Sequence, residues 1–171
     1  VLAYIDANND KLTKIFGESI YDITESGLKA LQVTGETYTQ TMERLTTTFE
    51  MTNKAAKILG VKIEDAFGKV GLAGYEMRNK LIKAVGGLEA FNAKFTFFYE
   101  NFYSEAQRGA MAMEDAQTTL ADSFTAMGYP IPRTREEFNT LMSTFLAMGD
   151  SGQTLVAQLL EVAPAFDYVH D

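Results

Sequence analysis

The sequence predicts an all-α fold, a multi-helix assembly of antiparallel helical hairpins with about six or seven helices, on three observations. Prolines occur only at Pro130, Pro132 and Pro164, and the Asn-Gly and Asp-Gly pairs that mark tight hairpins are absent. Apolar residues recur at three- and four-residue steps along most of the chain. Glycines fall where those stripes stop, and Ser or Thr stands ahead of several of them. With 171 residues, 46% hydrophobic and 22% charged, the chain has the composition of one folded domain with a real core.

From Asn8 to Gln32, Leu12, Ile15, Phe16, Ile20, Ile23 and Leu31 predict one helix, with Gly17 and Gly27 as its weak spots. Thr34 and Gly35 interrupt it. Glu36 to Leu59 resumes the stripe through Met42, Leu45, Phe49 and Ala56, and Gly60 takes the position after the helix end. The threonines of this helix, Thr46, Thr47 and Thr48 among them, lower its intrinsic propensity, so packing has to hold it. A short helix is expected near Glu64, then a loop carrying Gly68, Gly71 and Gly74, then a helix from about Ala73 to Val85 ended by Gly86-Gly87.

Leu88 to Tyr103 carries Phe91, Phe95, Phe97, Phe98, Tyr99, Phe102 and Tyr103 and is expected to be the aromatic heart of the fold. Ser104 with Gln107 forms a capping box for a helix reaching Gly128. Tyr129 to Arg133 reads as an extended connector because each proline biases its predecessor away from the helical region. Thr134 and Glu137 form the clearest capping box of the chain, ahead of a helix that buries Phe138, Leu141, Met142 and Phe145 and stops at Gly149. A last helix opens near Asp150, with Gln153 at the capping position, and presents Leu155, Val156, Leu159, Leu160 and Ala163 before Pro164. No fixed repeat supports a solenoid.

Composition excludes several chemistries. Without cysteine there is no disulfide, no thiolate metal site and no cysteine nucleophile. The longest uncharged runs, such as Phe138 to Gly149, fall short of the roughly 18 to 20 apolar residues that span a bilayer, so a soluble piece is expected. Val1 opens the chain and no basic stretch precedes an apolar one, which reads as an excerpt of a longer polypeptide with no signal peptide. Net charge is −8, and residues 87–171 hold 4 basic against 12 acidic side chains. Such a field repels phosphate backbones and argues against direct nucleic-acid binding.

Motifs for catalysis or ion binding are weak. Asp6, Asn8 and Asp10 begin a calcium-loop pattern that fails at Lys11 and Gly17, where glycine and a bidentate glutamate are required, so they read as helix-start residues. Gly68, Gly71 and Gly74 lack the spacing of a phosphate cradle. His170, the sole histidine, stands one residue from the end. The acidic pairs Glu64-Asp65, Glu114-Asp115 and Glu136-Glu137 diverge around a helix, which leaves Glu89 beside Phe91 as the one carboxylate placed for desolvation, with helix capping as its plainer role. No catalytic, cofactor or metal residue is expected. The methionines read first as gap fillers of the core.

Four stretches remain: Gly86-Gly87-Leu88-Glu89-Ala90-Phe91, Tyr99-Glu100-Asn101-Phe102-Tyr103-Ser104-Glu105, Pro132-Arg133-Thr134-Arg135-Glu136-Glu137-Phe138, and Gln158-Leu159-Leu160-Glu161-Val162-Ala163-Pro164-Ala165-Phe166. Gly35-Glu36-Thr37, Thr41 and Arg44-Leu45 extend them upstream. In order and spacing they resemble the C-terminal part of a tailed-bacteriophage tail tape measure protein, as encoded in prophages. The likeness covers residues 35–171, a helical tape-measure-like module, and leaves 1–34 as an N-terminal helix of uncertain affiliation. It implies a non-enzymatic virion component that fills the tail tube, sets tail length and leaves at genome delivery. It is located in the virion tail and, during assembly, in the bacterial cytoplasm. The repetitive tape, the hydrophobic segments and the peptidoglycan-cleaving domains of some members are not in this stretch. Its implied partners are tail tube or tail-tip proteins, or its own copies as a trimer or hexamer. The contact surface would comprise Phe95, Phe98, Tyr99, Phe102 and Tyr103 with the acidic second half. The alternative is a helical protein-interaction module outside any phage; a hydrolase using Glu89 as acid would need a second carboxylate and a cleft that the sequence does not show.

Overall fold

The computed structural model describes residues 11–18 and 25–171, which are helices and connecting turns with no strand among them. The chain divides into two compact units, 1–101 and 102–171.

The first unit holds helical residues 11–16, α1 (Glu25–Leu31), α2 (Tyr38–Leu59), α3 (Ile63–Phe67), a 3-10 turn (Gly71–Gly74), α4 (Tyr75–Val85) and α5 (Leu88–Phe102), whose last residue crosses the division. The helix expected over 8–32 is not continuous. It stops at Gly17, whose φ of 72° lies in the left-handed region open to glycine, and a Cβ there would stand 2.7 Å from Val70 Cγ1. The rest of that stretch, 8–10 and 19–24, lies outside the described residues, as do Asp6, Asn8 and Asp10.

α2 begins two residues later than expected. Thr37 is its N-cap: Gln40 N donates to Thr37 Oγ1 at 3.1 Å and Thr37 N donates to Gln40 Oε1 at 2.9 Å. The threonine-rich helix holds by burial, as expected. Thr41, Thr48 and Thr52 are buried, and each hydroxyl donates to the carbonyl four residues back, at 3.1, 2.9 and 2.7 Å, so no polar group is stranded by their burial. Met42, Leu45 and Phe49 on the same helix meet Leu12, Phe16 and Leu28 in one core, with Phe16 and Phe49 at 4.7 Å between ring centroids. A second, smaller core joins Ala55, Ile82 and Phe91, against which Met51, Val85, Leu88 and Phe95 pack.

Arg44 ties the first unit together. Its Nε donates to Glu36 Oε2 at 2.8 Å, its Nη2 to Glu36 Oε1 at 3.1 Å and to the Leu31 carbonyl at 2.5 Å, and its Nη1 to the Tyr75 hydroxyl at 2.7 Å. One guanidinium thus joins the end of α1, the following loop, α2 and α4. The paired Arg44 guanidinium holds the Glu36 carboxyl well below the carboxylate range, at about 2.

The second unit holds α6 (Glu105–Met127), α7 (Arg135–Ala147), a 3-10 turn (Gly149–Gly152) and α8 (Gln153–Val169), with α8 packed against both α6 and α7. Ser104 and Gln107 form the expected reciprocal box, at 3.1 and 2.8 Å. Thr134 accepts from Glu137 N at 3.1 Å, but the Glu137 carboxylate turns to Arg133 N at 2.6 Å, so that box is half made. Leu120, Phe124, Met127, Phe138, Phe145, Leu159, Val162 and Phe166 form the core. Leu141 and Met142 pack against it while remaining partly exposed.

α8 does not end before Pro164 but runs through it to Val169. Proline forfeits the hydrogen bond to the carbonyl four residues back, and that residue, Leu160, is 61% exposed, on the side where water can take the donor's place. Gln153 opens α8 without capping it; Gly152 holds the cap position, and no side chain caps there.

Candidate functional site

α5 departs most from expectation. It is apolar around much of its circumference, yet Phe91 is its one buried residue. Phe95 stacks on Phe91 at 5.8 Å between centroids with rings 13° apart, and Phe98 follows at 5.7 Å, tilted 51°. Beyond Phe95 no residue of α5 joins a core cluster. Phe98, Tyr99 and Tyr103 are half-buried, while Phe102 is 72% exposed. The aromatic heart expected here is therefore misplaced. Among the described residues the buried phenylalanine rings are Phe16, Phe49, Phe67 and Phe91 in one unit and Phe124, Phe138, Phe145 and Phe166 in the other, because only the first turns of α5 lie against a core.

The expected contact residues Phe95, Phe98, Tyr99 and Phe102 share one α5 face by their three- and four-residue spacing, with Tyr103 just past its end. Phe97, 63% exposed, was not among them; it lies off that stripe, and periodicity alone gave no reason to choose it. Phe97 and Phe102 are the two rings of α5 that stand largely in water.

Glu89 is exposed in the first turn of α5. His170 stacks on Phe166 at 4.0 Å between ring centroids, with Nδ1 3.0 Å from the Phe166 carbonyl, a partner for the end of α8. Gly68 and Gly71 shape the α3–α4 junction with positive φ, and Gly74 opens α4. Among the described residues no group of three or more His, Asp or Glu is placed to hold a metal ion.

The residue that sequence reasoning missed is Arg78. It lies on the stripe Tyr75, Arg78, Ile82 of α4 and is 1% exposed, its guanidinium sandwiched between the rings of Phe49 and Phe67 at 4.0 and 4.5 Å from their centroids. Nη1 donates to Thr52 Oγ1 at 2.6 Å and to Asn53 Oδ1 at 2.7 Å, both uncharged acceptors. Nε is buried without an acceptor, and no carboxylate among the described residues pairs with the group. Burial pushes Arg78 down to about 10, which leaves it charged at neutral pH. Arg78 borders a cavity of about 370 Å³ whose other walls are Lys14, Ile15, Phe16, Gly17, Asn53, Lys57, Val61, Lys62, Ile63 and Val70. Its one trace in the sequence is a basic residue at helical spacing between Tyr75 and Ile82.

No protein-family model matches the chain, and no curated protein and no solved structure is significantly similar to it. Among the described residues no helix is long and apolar enough to cross a membrane.

Proposed function

We propose that the chain is a non-enzymatic structural module of a phage tail, part of a tape measure protein that serves tail assembly and, in its parent protein, length determination and genome delivery. It docks to a tail tube or tail-tip protein through the exposed aromatic rings of α5. The observation that carries the reading is α5 itself: an apolar fifteen-residue helix, inside one of the stretches that resemble the tape measure family, with one buried residue and with Phe97 and Phe102 largely in water. The all-helical, two-unit architecture is consistent with a scaffold element.

The test is a Phe97→Ser, Phe102→Ser double variant introduced into the full parent gene in the organism that encodes it, with tail particles counted by electron microscopy after induction. Both positions are exposed, so the variant keeps its helix content. The expected result is a severalfold loss of complete tails; an unchanged yield from the folded variant would remove α5 as the docking element.

A further inference from the structure

We infer that the groove between α7 and α8 is a docking site for a basic amphipathic helix of a partner protein. The two helices run antiparallel: the 3-10 turn Gly149–Gly152 joins them, and Phe138 near the start of α7 meets Phe166 near the end of α8 at 4.7 Å between ring centroids. Arg135 pairs with Asp167 at that same end, both side chains standing largely in water. Met142 and Leu146 follow Arg135 by about two and three helical turns, and Leu160 and Val156 precede Asp167 by about two and three turns, so all four share the side of the hairpin that carries the ion pair. At about 1.5 Å per residue Met142 lies level with Leu160 and Leu146 level with Val156, and the two levels are about 6 Å apart, one turn of a helix laid along the groove. Met142 and Val156 are half-buried against the core and form the floor, while Leu146 and Leu160, 68% and 61% exposed, form the lips. That spacing fits apolar anchors four residues apart on a ligand helix.

The sign of the occupant follows from charge. Residues 102–171 carry three basic side chains, Arg108, Arg133 and Arg135, against ten acidic ones. Glu136 and Glu161, both exposed, follow Arg135 and Leu160 directly in sequence and so flank the groove. A second copy brings the same acidic excess and is repelled, as is an anionic lipid surface; a helix whose leucines are flanked by lysines is attracted. No residue of the groove belongs to α5, so the site stands independently of the reading above.

The experiment is a ¹⁵N NMR titration of the 171-residue chain with an amphipathic leucine–lysine peptide of about 18 residues, and with the leucine–glutamate peptide that keeps the same leucines. Saturable shifts are expected with the lysine peptide at the amides of Met142, Leu146, Val156 and Leu160, weakening as sodium chloride is raised, with the glutamate peptide at least tenfold weaker. Leu146→Ser with Leu160→Ser, both exposed and so compatible with unchanged helix content, is expected to weaken the lysine peptide about tenfold. Phe97→Ser with Phe102→Ser is expected to leave its affinity unchanged. Equal binding of the two peptides, shifts centred on α5, or an affinity that the leucine variant does not change would overturn the assignment. So would a dimer in light scattering that the leucine variant abolishes, which would make a second copy the occupant, or leucine-dependent sedimentation with phosphatidylcholine vesicles, which would make it a membrane.

Discussion

Glu36→Gln is the sharpest test of the first unit, because it keeps the shape of the side chain and removes the charge that Arg44 holds. The folded carboxyl titrates at about 2 against 4.5 for the free group, which on full conversion corresponds to roughly 3 kcal/mol. The two side chains keep 21% and 18% of their exposure, so solvent screening brings the expected cost at neutral pH to about 1 to 2 kcal/mol. The sign follows from the lowered value. The contribution is present in full above 4.5, is lost as pH falls through 4.5 toward 2, and is gone below that. Urea unfolding followed by circular dichroism near pH 7 and near pH 3 should therefore show a gap between wild type and variant that shrinks by more than half at the lower pH. A gap of the same size at both would refute the charge-pair account and leave only the shape of the side chain to explain it.

Phe145→Ala removes a ring with no exposure that Tyr129 meets edge-on at 4.8 Å; equilibrium denaturation is expected to show a loss of about 3 to 5 kcal/mol, and a loss below about 1 kcal/mol would mean the second core is not centred there. Gly152→Ala puts a Cβ 1.8 Å from the Phe145 carbonyl oxygen, so the thermal midpoint should fall although alanine is the better helix former, and a rise would contradict the tight turn into α8. Ser104→Ala, at an exposed cap, should cost about 1 kcal/mol in the same denaturation assay, with no cost if the box at the head of α6 is absent in solution.

What was legible in the sequence was local. Ser104 with Gln107, Gly60, Gly86 and Gly128 mark helix ends through interactions spanning a few residues, and they stand where the spacing put them. The misses share a cause: they depend on what lies across the helix. Thr37 outcompetes Glu36 as the start of α2 because Glu36 is drawn to Arg44, eight residues on. Pro164 is tolerated because Leu160 faces water. The spacing of Phe95, Phe98, Tyr99 and Phe102 identifies a face but not whether anything covers it, and Arg78 reveals itself only when Phe49, Phe67 and Thr52 are brought around it from elsewhere in the chain.

The central claim, that the chain is a structural part of a phage tail, is tested most directly by mass spectrometry of tail particles purified after induction of the organism that encodes it. The account expects peptides from both units, 1–101 and 102–171, to copurify with the tail tube and tail-tip proteins through the density gradient. Peptides found only in the soluble lysate, with assembled tails free of them, would contradict it.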